Sequence, residues 1–107
     1  MKLKKKVAII TGGASGLGEA TARRYAKSGA NDIVADTNIS GGEKTAEIIR
    51  MEGGTSEFVQ TDVTSESDVI NLMNTVKGRF AKLDVLVTCA GILLSPNTCV
   101  DQFGVVD

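Results

Sequence analysis

Short apolar runs, each closed by a glycine or a polar turn, alternate along the chain with longer stretches in which apolar residues recur every three or four positions. Lys6-Val7-Ala8-Ile9-Ile10-Thr11 reads as a buried strand, because a continuous apolar run stops at glycine. From Leu17 to about Ser28 the pattern predicts a helix with Ala22, Tyr25 and Ala26 on one face and Gly29 as its stop. Ile33-Val34-Ala35 predicts a second strand ending at Asp36. Ser40-Gly41-Gly42-Glu43 has capping-box spacing and opens a helix that turns Ala46 and Ile49 inward and ends at Gly53-Gly54. Phe58-Val59-Gln60 is a third strand, followed by Asp62-Val63. Thr64 or Ser65 caps a longer helix whose Val69, Leu72, Met73, Val76 and Phe80 keep helical spacing and form a core face. Residues 84–91 read as a fourth strand running into Gly91. Beyond Ile92 no clear element is expected, and Ser95-Pro96-Asn97-Thr98 is a turn.

The order β-α-β-α-β-α-β predicts the α/β class. Right-handed crossovers then give a doubly wound parallel sheet with helices on both faces and strand order 3-2-1-4. The 107 residues suffice for one domain. A net charge of −1 implies neither a nucleic-acid-binding patch nor an acidic tail. Lys2, Lys4, Lys5 and Lys6 read as a solvated arm. Val7–Ile10 meets glycine too soon for a signal peptide, and no run reaches membrane-spanning length, so a cytoplasmic protein with no membrane partner is expected. Asn38-Ile39-Ser40 is then a chance glycosylation sequon. Two cysteines and no histidine argue for a reduced protein, with Cys89 a small core residue, and against a zinc site.

Candidate chemistry concentrates in Thr11-Gly12-Gly13-Ala14-Ser15-Gly16-Leu17-Gly18, between the first strand and the first helix. A helix start offers unpaired N–H groups and the positive end of a dipole, which suit a pyrophosphate if side chains leave room. Gly12 can make the tight turn, Gly16 can admit phosphates to the main chain, and Gly18 can let helix and sheet approach. Such glycines alone also fit a plain connection. Asp36, eighteen positions after Gly18, strengthens the ligand reading, because its carboxylate can accept from ribose hydroxyls and would repel a 2′-phosphate. The loop carries no Arg or Lys, and Ser15 stands where a cation could compensate, so NAD(H) is favoured over NADP(H). No Gly-Lys-Ser/Thr follows, which excludes a P-loop.

The Thr-Gly-x3-Gly-x-Gly motif of residues 11–18, with Asp36, Asp62-Val63 and Ala90-Gly91 in this order, resembles the short-chain dehydrogenase/reductase family across nearly the whole chain. The resemblance implies the N-terminal, cofactor-binding half of a Rossmann-type oxidoreductase acting on a secondary alcohol or ketone. It implies that Asp62 meets the adenine amino group beside Val63, that Ala90 and Gly91 lie against the adenosine ribose, and that the Leu17 amide meets the pyrophosphate. Two departures stand out. Thr88-Cys89-Ala90-Gly91 replaces the family's usual Asn-Asn-Ala-Gly. Asp32 falls where the second strand usually carries an apolar residue. A buried unpaired carboxylate costs several kcal/mol, so the strand is expected to begin at Ile33, with Asn31-Asp32 in a turn.

The family's Ser and Tyr-x3-Lys have no counterpart. The only tyrosine is Tyr25, with Gly29 four residues on, and it reads as a core-edge aromatic. Residues 1–107 are thus expected to be an NAD-binding half-domain truncated before the catalytic segment and not catalytic alone. A non-catalytic nucleotide-binding or regulatory module is the alternative. A third reading, binding of another adenosine ligand such as S-adenosylmethionine, fits the loop spacing less well. The fourth strand is expected to lie bare at a sheet edge, favouring self-association or dependence on a missing C-terminal half.

Overall fold

The computed structural model describes residues 3–89 and the backbone of residues 99–101. The elements are β1 (Val7–Thr11), α1 (Gly16–Lys27), β2 (Asn31–Asp36), α2 (Ile39–Met51), β3 (Thr55–Gln60), α3 (Glu66–Phe80), β4 (Val85–Cys89) and β5 (Cys99–Asp101). The sheet order is β3-β2-β1-β4-β5, and the first four strands are parallel, as the alternating pattern predicts. Covered on both faces, β1 buries all five residues, yet its period-two geometry still sorts them. Ala8 and Ile10 pack with Ala22, Val34 and Ile49 beneath α1 and α2. Val7 and Ile9 pack with Ile33, Leu72 and Val76 beneath α3. Tyr25 is half-buried against the first of these clusters, the core-edge position expected of it.

Four sequence expectations are corrected. β2 begins at Asn31, so Asp32 lies inside the strand, paired in register with Ala8 and Ser56, and only 1% exposed. Full-length pairing with β1 and β3 evidently outweighs the carboxyl's desolvation. Among the described residues, its two oxygens and the Ser56 hydroxyl have no hydrogen-bond partner. Second, the cap of α2 is Asn38, two residues before Ser40, with its side chain accepting from the Gly41 amide. The capping-box spacing misleads because Asn also caps strongly and precedes it.

Third, β4 is not a bare edge, since β5 pairs with it antiparallel where no element was expected. A three-residue strand lies below the length at which a periodic pattern becomes visible. Fourth, Cys89 is buried and disulfide-bonded, against the reduced reading. The antiparallel register sets positions 89 and 99 opposite each other, a proximity that sequence spacing does not reveal.

One staple was not anticipated. Asp84 accepts from the Val7 amide through Oδ2 at 2.8 Å and donates its own amide to the Val7 carbonyl at 2.9 Å, fixing β4 against the start of β1.

Candidate functional site

After β1 the chain crosses to β2 on one side of the sheet, and β4 is reached on the other. The strand order therefore reverses at β1, and such a switch point opens a crevice at the carboxyl ends of the strands. A cleft of about 330 Å³ lies there, lined by residues that include Gly12, Ser15, Asp36, Asp62, Val63 and Thr88.

The loop above β1 is shaped by its glycines. Gly12 has φ +73°, and a Cβ there would lie 1.8 Å from the Cys89 carbonyl oxygen. Gly18 is buried where α1 crosses the turn, and its Cβ would lie 2.0 Å from the Gly12 carbonyl oxygen. Gly16 differs, since among the described residues nothing outside its own helix and chain neighbours lies within 4 Å of the place its Cβ would take. The first two glycines therefore serve the fold, and the third leaves open space beside the main chain.

Ser15 caps α1. Its Oγ accepts from the Gly18 amide at 3.0 Å and donates to the Gly12 carbonyl at 2.8 Å. The Glu19 amide bonds the Ser15 carbonyl. Of the donors that open the helix, the Gly16 and Leu17 amides keep no acceptor among the described residues. Two N–H groups at the positive end of a helix dipole, beside a space free of side chains, suit an anion.

Asp36 ends β2 half-buried. Its Oδ2 accepts from the Ala14 amide and its Oδ1 from the Asn38 amide, both at 2.9 Å. An ionised carboxylate has about four acceptor positions, so two remain for a ligand. Asp62 is turned inward on its own loop. Its Oδ1 accepts from the Thr64 hydroxyl at 2.6 Å and amide at 2.9 Å, and these bonds, the hydroxyl first, hold its carboxyl below the ordinary carboxylate range. Val63 is exposed on the cleft wall.

The structure thus gathers Gly12, Ser15, Asp36, Asp62 and Val63 around one cleft. Gly16 and Leu17 follow the cleft residue Ser15 on the exposed first turn of α1, and Gly18 is buried. Ala90 and Gly91 lie outside the described residues. Sequence reasoning missed Thr45, Asn38 and Thr61. Thr45 is buried on α2 and bonds the loop carbonyl of Gly13, and Thr61 lines the cleft. A Thr amid the inward positions Ala46 and Ile49 was the available signal for the first.

The sequence matches the short chain dehydrogenase profile over residues 6–104. It is 46% identical over 96 residues to 3-hydroxyacyl-CoA dehydrogenase type-2 of Homo sapiens, covering 90% of this chain and 36% of that one. Among solved structures, it resembles a hydroxysteroid dehydrogenase from Escherichia coli with TM-score 0.82 and 33% identity, over 85% of this chain and 39% of that one. It also resembles an NAD+-bound xylitol dehydrogenase with TM-score 0.77 and 35% identity, over 80% of this chain and 33% of that one. The chain spans about a third of the length of these relatives. Among the described residues no helix is long and apolar enough to cross a membrane, and no cluster of side chains could hold a metal ion.

Proposed function

The chain belongs to the short chain dehydrogenase family, and from that premise we propose that residues 1–107 form the NAD(H)-binding half-domain of an oxidoreductase acting on a secondary alcohol or ketone. The observation that carries the reading is that two helix amides without an acceptor among the described residues, Gly16 and Leu17, follow Ser15, which lines one cleft with the carboxylate of Asp36 and its free acceptor positions. The Gly16 and Leu17 amides take the pyrophosphate. Asp36 accepts from the adenosine ribose hydroxyls and repels a 2′-phosphate, which favours NAD over NADP. Asp62 and Val63 flank the adenine. Gly12, Ser15 and Gly18 shape the loop that presents these donors.

When bound, the nicotinamide supplies hydride exchange with the carbinol or carbonyl carbon. The residues of this chain do the holding. They fix the adenosine end, exclude side chains from the phosphate path and discriminate at the ribose. The Ser and Tyr-x3-Lys that would move the proton are not among these 107 residues. The alternative reading is a nucleotide-binding or regulatory module without turnover. Hydride transfer by the full-length protein with a secondary alcohol and NAD separates the two.

Two variants test the binding site. Asp36→Ala is expected to weaken NADH at least about tenfold, the loss of one or two hydrogen bonds to a charged acceptor, and to narrow the gap to NADPH. Unchanged NADH affinity in a fluorescence titration would remove the ribose assignment. Gly16→Val is expected to leave the denaturation free energy within about 0.5 kcal/mol of the parent while weakening NADH, because its side chain enters open space that the phosphates need. A Gly16→Val chain that binds NADH like the parent contradicts the phosphate assignment.

A further inference from the structure

We infer that Thr45 is a positioning residue that sets the Asp36 carboxylate, and through it the choice between NAD and NADP; the inference rests on the proposed function. Thr45 is 1% exposed and sits on the inner face of α2, one helix away from the glycine loop. Its Oγ1 lies 3.0 Å from the Gly13 carbonyl oxygen and 3.2 Å from that of Gly41. The Gly41 contact is the ordinary bond of a helical threonine to the carbonyl four residues back. The Gly13 contact reaches 32 positions along the chain and is the shorter of the two.

The carbonyl of Gly13 and the amide of Ala14 are one peptide group. In a trans peptide they point in opposite directions. On one side Thr45 donates to the oxygen, and on the other the Ala14 N–H donates to Asp36 Oδ2 at 2.9 Å. A carbonyl that accepts a hydrogen bond makes its own N–H a better donor, so the two bonds reinforce each other. The line Thr45, Gly13–Ala14 peptide, Asp36 Oδ2 therefore fixes both the angle of the peptide plane and the carboxylate it holds. The Asn38 amide fixes the other oxygen, and Asn38 is itself the cap of α2. Helix α2 thus sets Asp36 from two sides. With both oxygens pinned, the carboxylate cannot swing away from a 2′-phosphate, and its free acceptor positions stay aimed at the ribose. Losing the Thr45 donor frees the peptide to rotate and lets the carboxylate turn.

The test uses the full chain with Thr45→Val, which keeps the shape and deletes the donor, and Thr45→Ser, which keeps the donor. Circular dichroism and denaturation establish that each variant folds. Thr45→Val is expected to lose about tenfold in NADH affinity, the equivalent of one hydrogen bond, with NADPH affinity unchanged or raised. Thr45→Ser restores the ratio. In an Asp36→Ala background the Thr45→Val effect on the ratio disappears. Equal losses for both dinucleotides, or a Thr45→Ser chain no better than Thr45→Val, overturn the inference and leave a packing role. Hydrogen exchange of the Ala14 amide, read without cofactor, separates this failure from failure of the functional reading. Faster exchange in Thr45→Val than in Thr45→Ser supports the line of bonds whatever occupies the cleft, and unchanged exchange breaks it even if NADH binds.

Discussion

Replacing Gly12 with alanine is expected to destabilise the chain by about 2–5 kcal/mol, a large fraction of the stability of an ordinary domain. Two costs add. At φ +73° an L side chain sits in the left-handed region, which costs about 1–2 kcal/mol. The new Cβ would also stand 1.8 Å from the Cys89 carbonyl oxygen. That oxygen belongs to the backbone of β4 and not to the far end of a flexible side chain. Relief therefore requires β4 to shift against β1, at the 1–3 kcal/mol or so typical of overpacking. Gly18→Ala carries only the second cost, from the Gly12 carbonyl oxygen at 2.0 Å, and recovers part of it because alanine stabilises a helix by roughly 0.5–1 kcal/mol over glycine. The expected order of damage is Gly12, then Gly18, with Gly16→Ala near neutral. Urea denaturation followed by circular dichroism reads all three at a common slope. A Gly12→Ala chain within 1 kcal/mol or so of the parent would mean that the turn above β1 is not held as tightly as its contacts indicate.

That ranking also marks what the sequence could and could not disclose. Three spaced glycines between a strand and a helix announced a tight crossing, and the turn at Gly12, the close approach at Gly18 and the opening at Gly16 follow the roles that spacing implies. The parallel order of the first four strands was legible because hydrophobic period and right-handed crossovers act locally along the chain. Three of the misses share a different origin. The strand character of Asp32, the pairing of β5 with β4, and the bonding of Cys89 all depend on which strand lies alongside. Lateral neighbours come from far along the sequence, and one short segment does not encode them. At the cleft, Asp36 was visible as a strand-end acid. The Thr45 hydroxyl that reaches the adjoining peptide was not, because its partner Gly13 lies 32 residues away.

The acid at position 32 makes the sharpest test of how this core tolerates a misfit. Asp32 is buried on the α1/α2 side of the sheet, on the same face as Val34, and desolvation pushes its carboxyl up to about 9. Across the β2–β3 ladder stands Ser56, whose hydroxyl also has no partner among the described residues and makes no bond to the Asp32 carboxyl. In the unfolded chain the same group releases its proton near 3.8. Between those two values the folded state holds one proton more than the unfolded state, and stability must fall as pH rises. Each unit costs about 1.4 kcal/mol, so by pH 7 the penalty reaches about 4 kcal/mol relative to pH below 4, and it levels off once the folded group ionises near 9. Asp32→Val removes the titrating group and supplies the β-branched residue that a doubly covered strand favours. It is expected to raise stability at pH 7 by a few kcal/mol and to leave it little changed at pH 3.5. The discriminating quantity is the difference between parent and Asp32→Val in denaturation free energy as a function of pH, because every other titrating group cancels from it. A difference that stays flat from pH 4 to 8 would mean that water or a partner reaches the carboxylate, and that the strand carries a charge where its packing calls for a neutral acid.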